Sequence, residues 1–231
     1  MQRRQHMGRH GKLIIAIDGP AAAGKGTLAK RIARHYGLRF LDTGALYRAV
    51  GLAMLRQGLD PDDEDAAAEV ARHLDITLLE DARLRDLATG EAASKVARHS
   101  GVREALLDFQ RCFAANAPDG AVLDGRDIGT VVLPDADVKL FITASPEVRA
   151  KRRWQELGGE ASGIPFKEVL AQVIERDRRD AERASAPMKP AKDAHLLDTS
   201  ELDIDAAFQA ALRIIEAHLK EKDRGAGRGE S

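Results

Sequence analysis

The sequence of 231 residues holds a single cysteine, Cys112. A disulfide framework within the chain is impossible, and one thiol suits a reducing cytoplasm. Cys112 falls in a helical pattern with Val102, Leu106, Phe109 and Phe113 and reads as an ordinary, partly buried side chain. Aromatic residues are scarce at 4%, too few for the stacking platforms that hold single-stranded nucleic acid. No run approaches the about 18 consecutive apolar residues of a membrane helix. Charge of one sign is also missing. With 36 Lys and Arg against 37 Asp and Glu, the net charge is −1, which offers neither nucleic acid nor a membrane surface a bulk partner. Met1 to Lys12 is basic and polar and lacks the apolar stretch of a secretory signal; Met7 is an alternative start to Met1.

What is present suffices for a packed core, with 44% hydrophobic and 32% charged residues. The length predicts one α/β domain with small insertions, residues 12–220. The stretches 1–11 and 221–231 read as disordered tails. Leu13 to Ile17 is a short continuous apolar run of the kind buried on both faces of a parallel sheet. It ends at the turn signal Asp18-Gly19-Pro20, and Leu28, Ile32 and Tyr36 then recur at helical spacing. Further strands are expected at 38–41, 121–123, 139–143 and 195–197. Helices are expected at 45–55, 102–113, 146–157, 166–183 and from Ile204 to Leu219. This alternation predicts a doubly wound α/β fold. Two regions break it: residues 58–97, polar with a weak strand candidate at Ile76 to Leu79, and the glycine-bearing loop 158–165.

Gly19-Pro20-Ala21-Ala22-Ala23-Gly24-Lys25-Gly26-Thr27 fits G-x4-G-K between a strand and a helix. Backbone N–H groups at a helix start face phosphate oxygens, and glycines let the backbone approach closely. Lys25 supplies charge to the outer phosphates, and the Thr27 hydroxyl is placed to ligate Mg²⁺. A lysine there opposes the helix dipole, a poor choice if the role were structural. The Gly-Lys-Gly-Thr variant resembles the nucleoside monophosphate kinase branch of P-loop proteins and, within it, cytidylate kinase. Ala21 and Ala22 stand where that family often has Ser-Gly, and their small size predicts little effect.

Three further segments carry the same resemblance. The first is Leu41-Asp42-Thr43-Gly44-Ala45-Leu46-Tyr47-Arg48, where Thr43 and Tyr47 share a helical face and Arg48 suits an acceptor phosphate. The bland alternative is Thr43 as a helix N-cap with Arg48 solvated. The second is Asp124-Gly125-Arg126-Asp127-Ile128-Gly129-Thr130 at the end of an apolar strand, where open parallel sheets bind ligands. Asp124 suits the Mg²⁺ shell, Arg126 can bridge donor and acceptor phosphates, and Asp127 suits an amino group on cytosine. The third is Arg176, Asp180 and Arg183, which fit R-D-x-x-D-x-x-R-x-x-x-P with Pro187. As a plain charged helix, the same segment reads as a solvated face with pairs such as Glu175 with Arg179.

The resemblance implies a three-layer P-loop NTPase fold with a central parallel sheet, a monophosphate-binding insertion at about 58–97 and a short lid at about 150–165. It implies ATP-dependent phosphorylation of CMP and dCMP with Mg²⁺, in a cytoplasmic monomer. Lys25, Arg126, Arg152 and Arg176 would be catalytic, and Arg153 would serve ATP together with the loop. Thr43, Tyr47, Arg48, Ser94, Arg103, Arg126, Asp127, Arg176, Asp180 and Arg183 would hold CMP, and Thr27 and Asp124 the metal. Apart from the resemblance, Ser94 and Arg103 read as surface helix residues. Another monophosphate acceptor, or a non-catalytic nucleotide binder, is the alternative reading. A GTPase would carry Asn/Thr-Lys-x-Asp after a strand, and Lys192-Asp193 does not fit.

Overall fold

The computed structural model describes residues 12–184 and 186–226, with side chains as far as residue 221. Five parallel strands form one sheet in the order β2-β3-β1-β4-β5. They are β1 (Leu13–Asp18), β2 (Arg39–Asp42), β3 (Gly120–Gly125), β4 (Val138–Thr143) and β5 (His195–Asp198). β1 lies at the centre, with Ile17 opposite Asp124 of β3 and Leu140 of β4. Its side chains divide by the two-residue period of a strand. Ile15 and Ile17 join Leu28, Ile32, Leu140, Ile142 and Ile215 on one face. Ala16 joins Leu41, Leu123, Ile128 and Val132 on the other. Both faces are covered, which explains the uninterrupted apolar run.

The helices are α1 (Lys25–Tyr36), α2 (Thr43–Arg56), α3 (Glu64–Arg72), α4 (Leu87–Val96), α5 (Ser100–Ala115), α6 (Pro146–Glu156), α7 (Phe166–Glu182) and α8 (Ile204–Ala226). α8 continues past Lys220, so residues 221–226 are helical and not the disordered tail that composition predicts. Residues 1–11 and 227–231 lie outside the described residues. The fold is the doubly wound α/β arrangement that the alternation predicts, in the three layers that the resemblance implies.

Within residues 58–97 the chain forms α3, two 3-10 turns and α4. Ile76 to Leu79 is not a strand but a 3-10 turn, Ile76–Glu80, because the Asp75 carboxylate accepts from both the backbone N–H (3.0 Å) and the hydroxyl (2.7 Å) of Thr77 and closes the chain tightly. α3 and α4 pack on α2 and α5 through Leu46, Val50, Met54, Ala67, Val96 and Val102. At Gly51, an added Cβ would stand 2.8 Å from the Ala93 nitrogen, so glycine permits the close crossing of α2 and α4. α5 buries Val102, Leu106, Gln110 and Ala114. Cys112 falls off that stripe and is exposed, contrary to the expectation of partial burial.

Candidate active site

The loop after β1 and the turn after β3 open side by side at the carboxyl edge of the sheet, because β1 and β3 are adjacent and parallel. Gly19 sits at φ +142, and a Cβ there would meet the Ile142 carbonyl oxygen at 1.9 Å. No other residue fits that backbone. Gly24, at φ +84, opens α1 without a capping side chain, and no acidic residue occupies the first turn. The N–H groups of that turn thus remain available to an anion. Lys25 is buried, donates to the Pro20 carbonyl (2.9 Å) and lies 3.8 Å from an Asp124 carboxylate oxygen. Burial, reinforced by Arg126, lowers its pKa to about 8, against the pull of Asp124, Asp42 and Asp18. Thr27 is exposed on the first turn of α1. Asp124 is buried, and burial raises its carboxyl above the usual range while Lys25 pulls the other way.

Thr43 does not cap α2. Asp42 does, accepting from Ala45 N–H (3.2 Å), which leaves the buried Thr43 hydroxyl to donate to the Asp124 carbonyl (2.7 Å). β2, β3 and the start of α2 are thereby locked at the site. Arg48 is half-buried, 3.7 Å from the Asp42 carboxylate. Arg103 and Asp127 form a buried ion pair. The Arg103 guanidinium also lies over the Tyr47 ring, 5.8 Å from its centre. Burial raises the Asp127 carboxyl, with Arg103, Arg183 and Arg126 opposing. A cavity of about 100 Å³ opens there, lined by Tyr47, Ser100, Arg103, Gln110, Asp127 and Val132. The reading of Ser94 and Arg103 as surface residues is wrong, since they are 4% and 8% exposed. The Ser94 hydroxyl is buried and has no partner among the described residues. A buried hydroxyl without a partner is costly, and Ser94 does not line that cavity.

On the α7 side of the site, arginines gather around Asp180. Arg126 Nε donates to Asp180 (2.9 Å), and Arg183 Nε donates to the Asp180 carbonyl (3.3 Å). α7 ends at Glu182, so Arg183 leaves the helical path yet stays buried. Burial alone would raise the Asp180 carboxyl, but Arg126, Arg176 and Arg183 hold it below the usual range. Arg176 has a buried Nε with no partner among the described residues. Burial, then the nearby charge of Arg126, lowers its pKa to about 10. A cationic pocket with unmet donors suits a multiply charged anion.

Residues 15–217 match the family described as cytidylate kinase. The chain belongs to the cytidylate kinase family. It is 61% identical to the cytidylate kinase of Azorhizobium caulinodans over 88% of this chain and 98% of that one. The match to the cytidylate kinase of Rhodopseudomonas palustris is 58%, over 89% and 96%. That to the Brucella suis protein of the same name is 56%, over 92% and 96%. Among solved structures, an uncharacterised protein from Eubacterium ventriosum superposes with a TM-score of 0.51 at 18% identity, covering 89% of this chain and 99% of that one. The likeness is one of fold.

In this cytidylate kinase family chain, two arginines of α6 are tied to neighbouring protein groups, and Arg152 Nη1 stands 3.9 Å from where a Cβ on Gly24 of the phosphate loop would lie. Arg152 donates to the Thr199 hydroxyl (3.1 Å) and carbonyl (2.7 Å), and Thr199 in turn donates to the Ala23 carbonyl (3.2 Å). Arg153 reaches the Arg85 carbonyl (3.1 Å) on the 58–97 segment. Arg149 is 3% exposed and pairs with Asp177 while donating to the Ala21 carbonyl (3.3 Å), so it braces the loop against α7. Sequence reasoning missed Thr199 and Asp18. Asp18, read only as part of a turn signal, is 4% exposed, and burial raises its pKa to about 7. A carboxylate ending a fully apolar strand was the available signal. A larger cavity, about 500 Å³, lies between the end of α2, α3 and the Ile76 turn and contains none of these residues.

Proposed function

We propose that the chain transfers the γ-phosphoryl group of ATP to CMP and dCMP, giving ADP with CDP or dCDP. One observation carries the reading. The phosphate loop with its buried Lys25 and the Arg126–Asp127 turn open on the same edge of the sheet, with Lys25 3.8 Å from Asp124. An acceptor phosphate oxygen attacks the γ-phosphorus, and the bond to the β-bridging oxygen breaks. The acceptor is already an anion, so no protein base is needed, and the task is positioning and charge neutralisation. Lys25 and the loop N–H groups take the donor phosphates. Arg126 and Arg176 take charge on the transferring group, with Arg48 and Arg183 on the acceptor side. Arg152 and Arg153 act from the lid.

Cytosine presents acceptors at N3 and O2 and a donor at N4. Arg103 supplies donors to the first two and Asp127 an acceptor to the third, with Ser94 at the base edge. Uracil would turn an N–H toward Arg103 and a carbonyl toward Asp127, leaving buried polar groups unpaired. Asp180 is suited to a sugar hydroxyl. Among the described residues, no three His, Cys, Asp or Glu side chains converge to hold a metal. Mg²⁺ would therefore take most of its ligands from phosphate and water, with Thr27 and Asp124 the protein groups suited to it. When bound, it would screen charge on the phosphates. No helix among the described residues is long and apolar enough to cross a membrane, and we read the enzyme as a cytoplasmic monomer.

A coupled ADP-release assay over AMP, CMP, UMP and GMP tests the reading, repeated with Arg103→Ala. CMP is expected as the preferred acceptor, and the variant is expected to lose CMP turnover while still binding ATP. Protein that binds ATP but leaves CMP untouched would overturn the assignment of function. Unchanged CMP kinetics in the variant would overturn the base-recognition assignment.

A further inference from the structure

The residues that would read the base and grip the phosphate sit on a turn that cannot hold itself. Ile128–Val132 is a single wide helical turn in which Val131 and Val132 donate to the Asp127 carbonyl (2.9 and 3.2 Å) and Leu133 donates to the Ile128 carbonyl (2.7 Å). A lone turn leaves its first N–H groups and its last carbonyls without partners. Two distant side chains supply them. The Asp18 carboxylate accepts from Ile128 N–H (2.7 Å) and Gly129 N–H (2.8 Å), one through each oxygen. At the other end, Arg111 of α5 donates from Nε to the Val132 carbonyl (3.0 Å) and from a terminal nitrogen to the Val131 carbonyl (3.1 Å). Glycine at 129 allows the approach, because a Cβ there would already stand 3.4 Å from the Asp18 carboxylate and 3.1 Å from Lys139. Asp18 immediately precedes the phosphate loop, and Arg111 lies two turns beyond Arg103 on α5. The same two side chains therefore index the turn to the donor site on one side and to the base pocket on the other. Val132, whose carbonyl Arg111 holds, also lines that pocket.

We propose that Asp18 and Arg111 are positioning residues for acceptor selection: they clamp the 127–132 turn from opposite ends and fix Arg126 and Asp127 without touching substrate. The inference rests on the CMP kinase reading. A shift of about 1 Å in a group that positions substrate can cost on the order of a hundredfold in rate. Loosening one end of a clamped turn should produce a smaller share of that effect. It should fall on the acceptor, because the donor loop keeps its own backbone.

Arg111 is exposed, so Arg111→Ala is expected to fold, and it forms the main test beside Arg111→Lys and Asp18→Asn. In Arg111→Ala, losing two charge-assisted hydrogen bonds should raise KM for CMP by about tenfold. The CMP-over-UMP ratio of kcat/KM should fall by a similar factor, with KM for ATP within about twofold of the parent. Arg111→Lys, which can still donate to one carbonyl, should recover part of the loss. Without substrate, hydrogen exchange at the Ile128 and Gly129 amides should speed up in Asp18→Asn. Unchanged CMP kinetics and base preference in Arg111→Ala would overturn the proposal. So would equal losses for CMP and ATP, which would show a general loss of structure. A parent protein inert toward CMP would sink the kinase reading and this inference with it. A parent active toward CMP whose variants behave like it would sink the inference alone.

Discussion

Arg126, just after β3, donates 2.9 Å to Asp180 of α7, so the side chain expected to grip phosphate is already engaged by a carboxylate of that helix. Asp180 is the counterion for three arginines, Arg126, Arg176 and Arg183. An incoming phosphate must share or displace that role. Replacing Asp180 with alanine strands buried like charge, a loss of about 3–5 kcal/mol for a broken buried pair. We predict that Asp180→Ala lowers Tm markedly and that sulfate or phosphate restores much of the loss. The anion response should exceed that of the parent protein. Thermal melts with and without 50 mM-scale anion, on the order of the concentrations that populate weak sites, read this directly. Equal anion responses in the two proteins would show that Asp180 is not the cluster's counterion.

Arg176 makes the complementary case. Its pKa falls to about 10 because burial and Arg126 disfavour its charge, and its Nε is unsatisfied. The folded value lies below the ordinary one for arginine, so the folded state resists this proton. At neutral pH, below both values, the cost of holding the charge is present in full. Arg176→Met should therefore leave the ligand-free protein no less stable, and by about 1 kcal/mol more so, since well-packed apolar replacements of buried charge are often stabilising. The same change should raise KM for CMP by on the order of a hundredfold, as expected for a lost charged contact of about 3 kcal/mol. A substantial fall in Tm would mean that Arg176 is there for the fold.

Lys25 gives the pH dependence. In the ligand-free protein its pKa is lowered to about 8 by burial and by Arg126. Only the protonated amine attracts phosphate, so kcat/KM for ATP should fall as pH rises through about 8. A bound triphosphate stabilises the ammonium, so the corresponding limb of kcat at saturating ATP should lie at higher pH. In Lys25→Arg the rate should drop overall and the alkaline limb should vanish, because guanidinium keeps its charge. A kcat/KM profile flat from neutral pH to well above 8 would remove Lys25 from the titrating role.

Much of this arrangement was legible from local pattern. The apolar run Leu13 to Ile17, the glycine loop and the helical spacing of Leu28 and Ile32 are local properties, and each element formed where the spacing puts it. The Ile76 turn was not legible. Ile-Thr-Leu-Leu has the composition of a strand, and the Asp75 side chain overrides it by bonding Thr77 twice. The burial of Ser94 and Arg103 was hidden for a different reason. Each lies on a helix whose polar residues look solvated, and only tertiary packing encloses them: α4 against α2 for Ser94, and the ion pair with Asp127 for Arg103. Asp18 and Thr199 act through partners more than a hundred residues away. No period of 2 or 3.6 residues encodes such a pairing.

Ala22 provides the last test, on the loop itself. Its φ is +59, inside the left-handed region, so the expectation that alanine is harmless there holds for size but not for backbone. A non-glycine residue in that conformation carries about 1–2 kcal/mol of strain. Glycine would remove the strain but adds about 0.4–1 kcal/mol of freedom to the unfolded chain. The balance favours Ala22→Gly by about 0.5–1 kcal/mol, a rise of a few degrees in Tm for a chain of this size. The loop's N–H groups should keep their directions, so KM for ATP is expected to stay within about twofold, well inside the tenfold that 1.4 kcal/mol would produce. A lower Tm in Ala22→Gly would mean that the left-handed turn at 22 is held by contacts of the alanine methyl strong enough to outweigh its strain. A raised ATP KM at unchanged Tm would mean that the stiffness alanine gives the loop is part of how it meets phosphate.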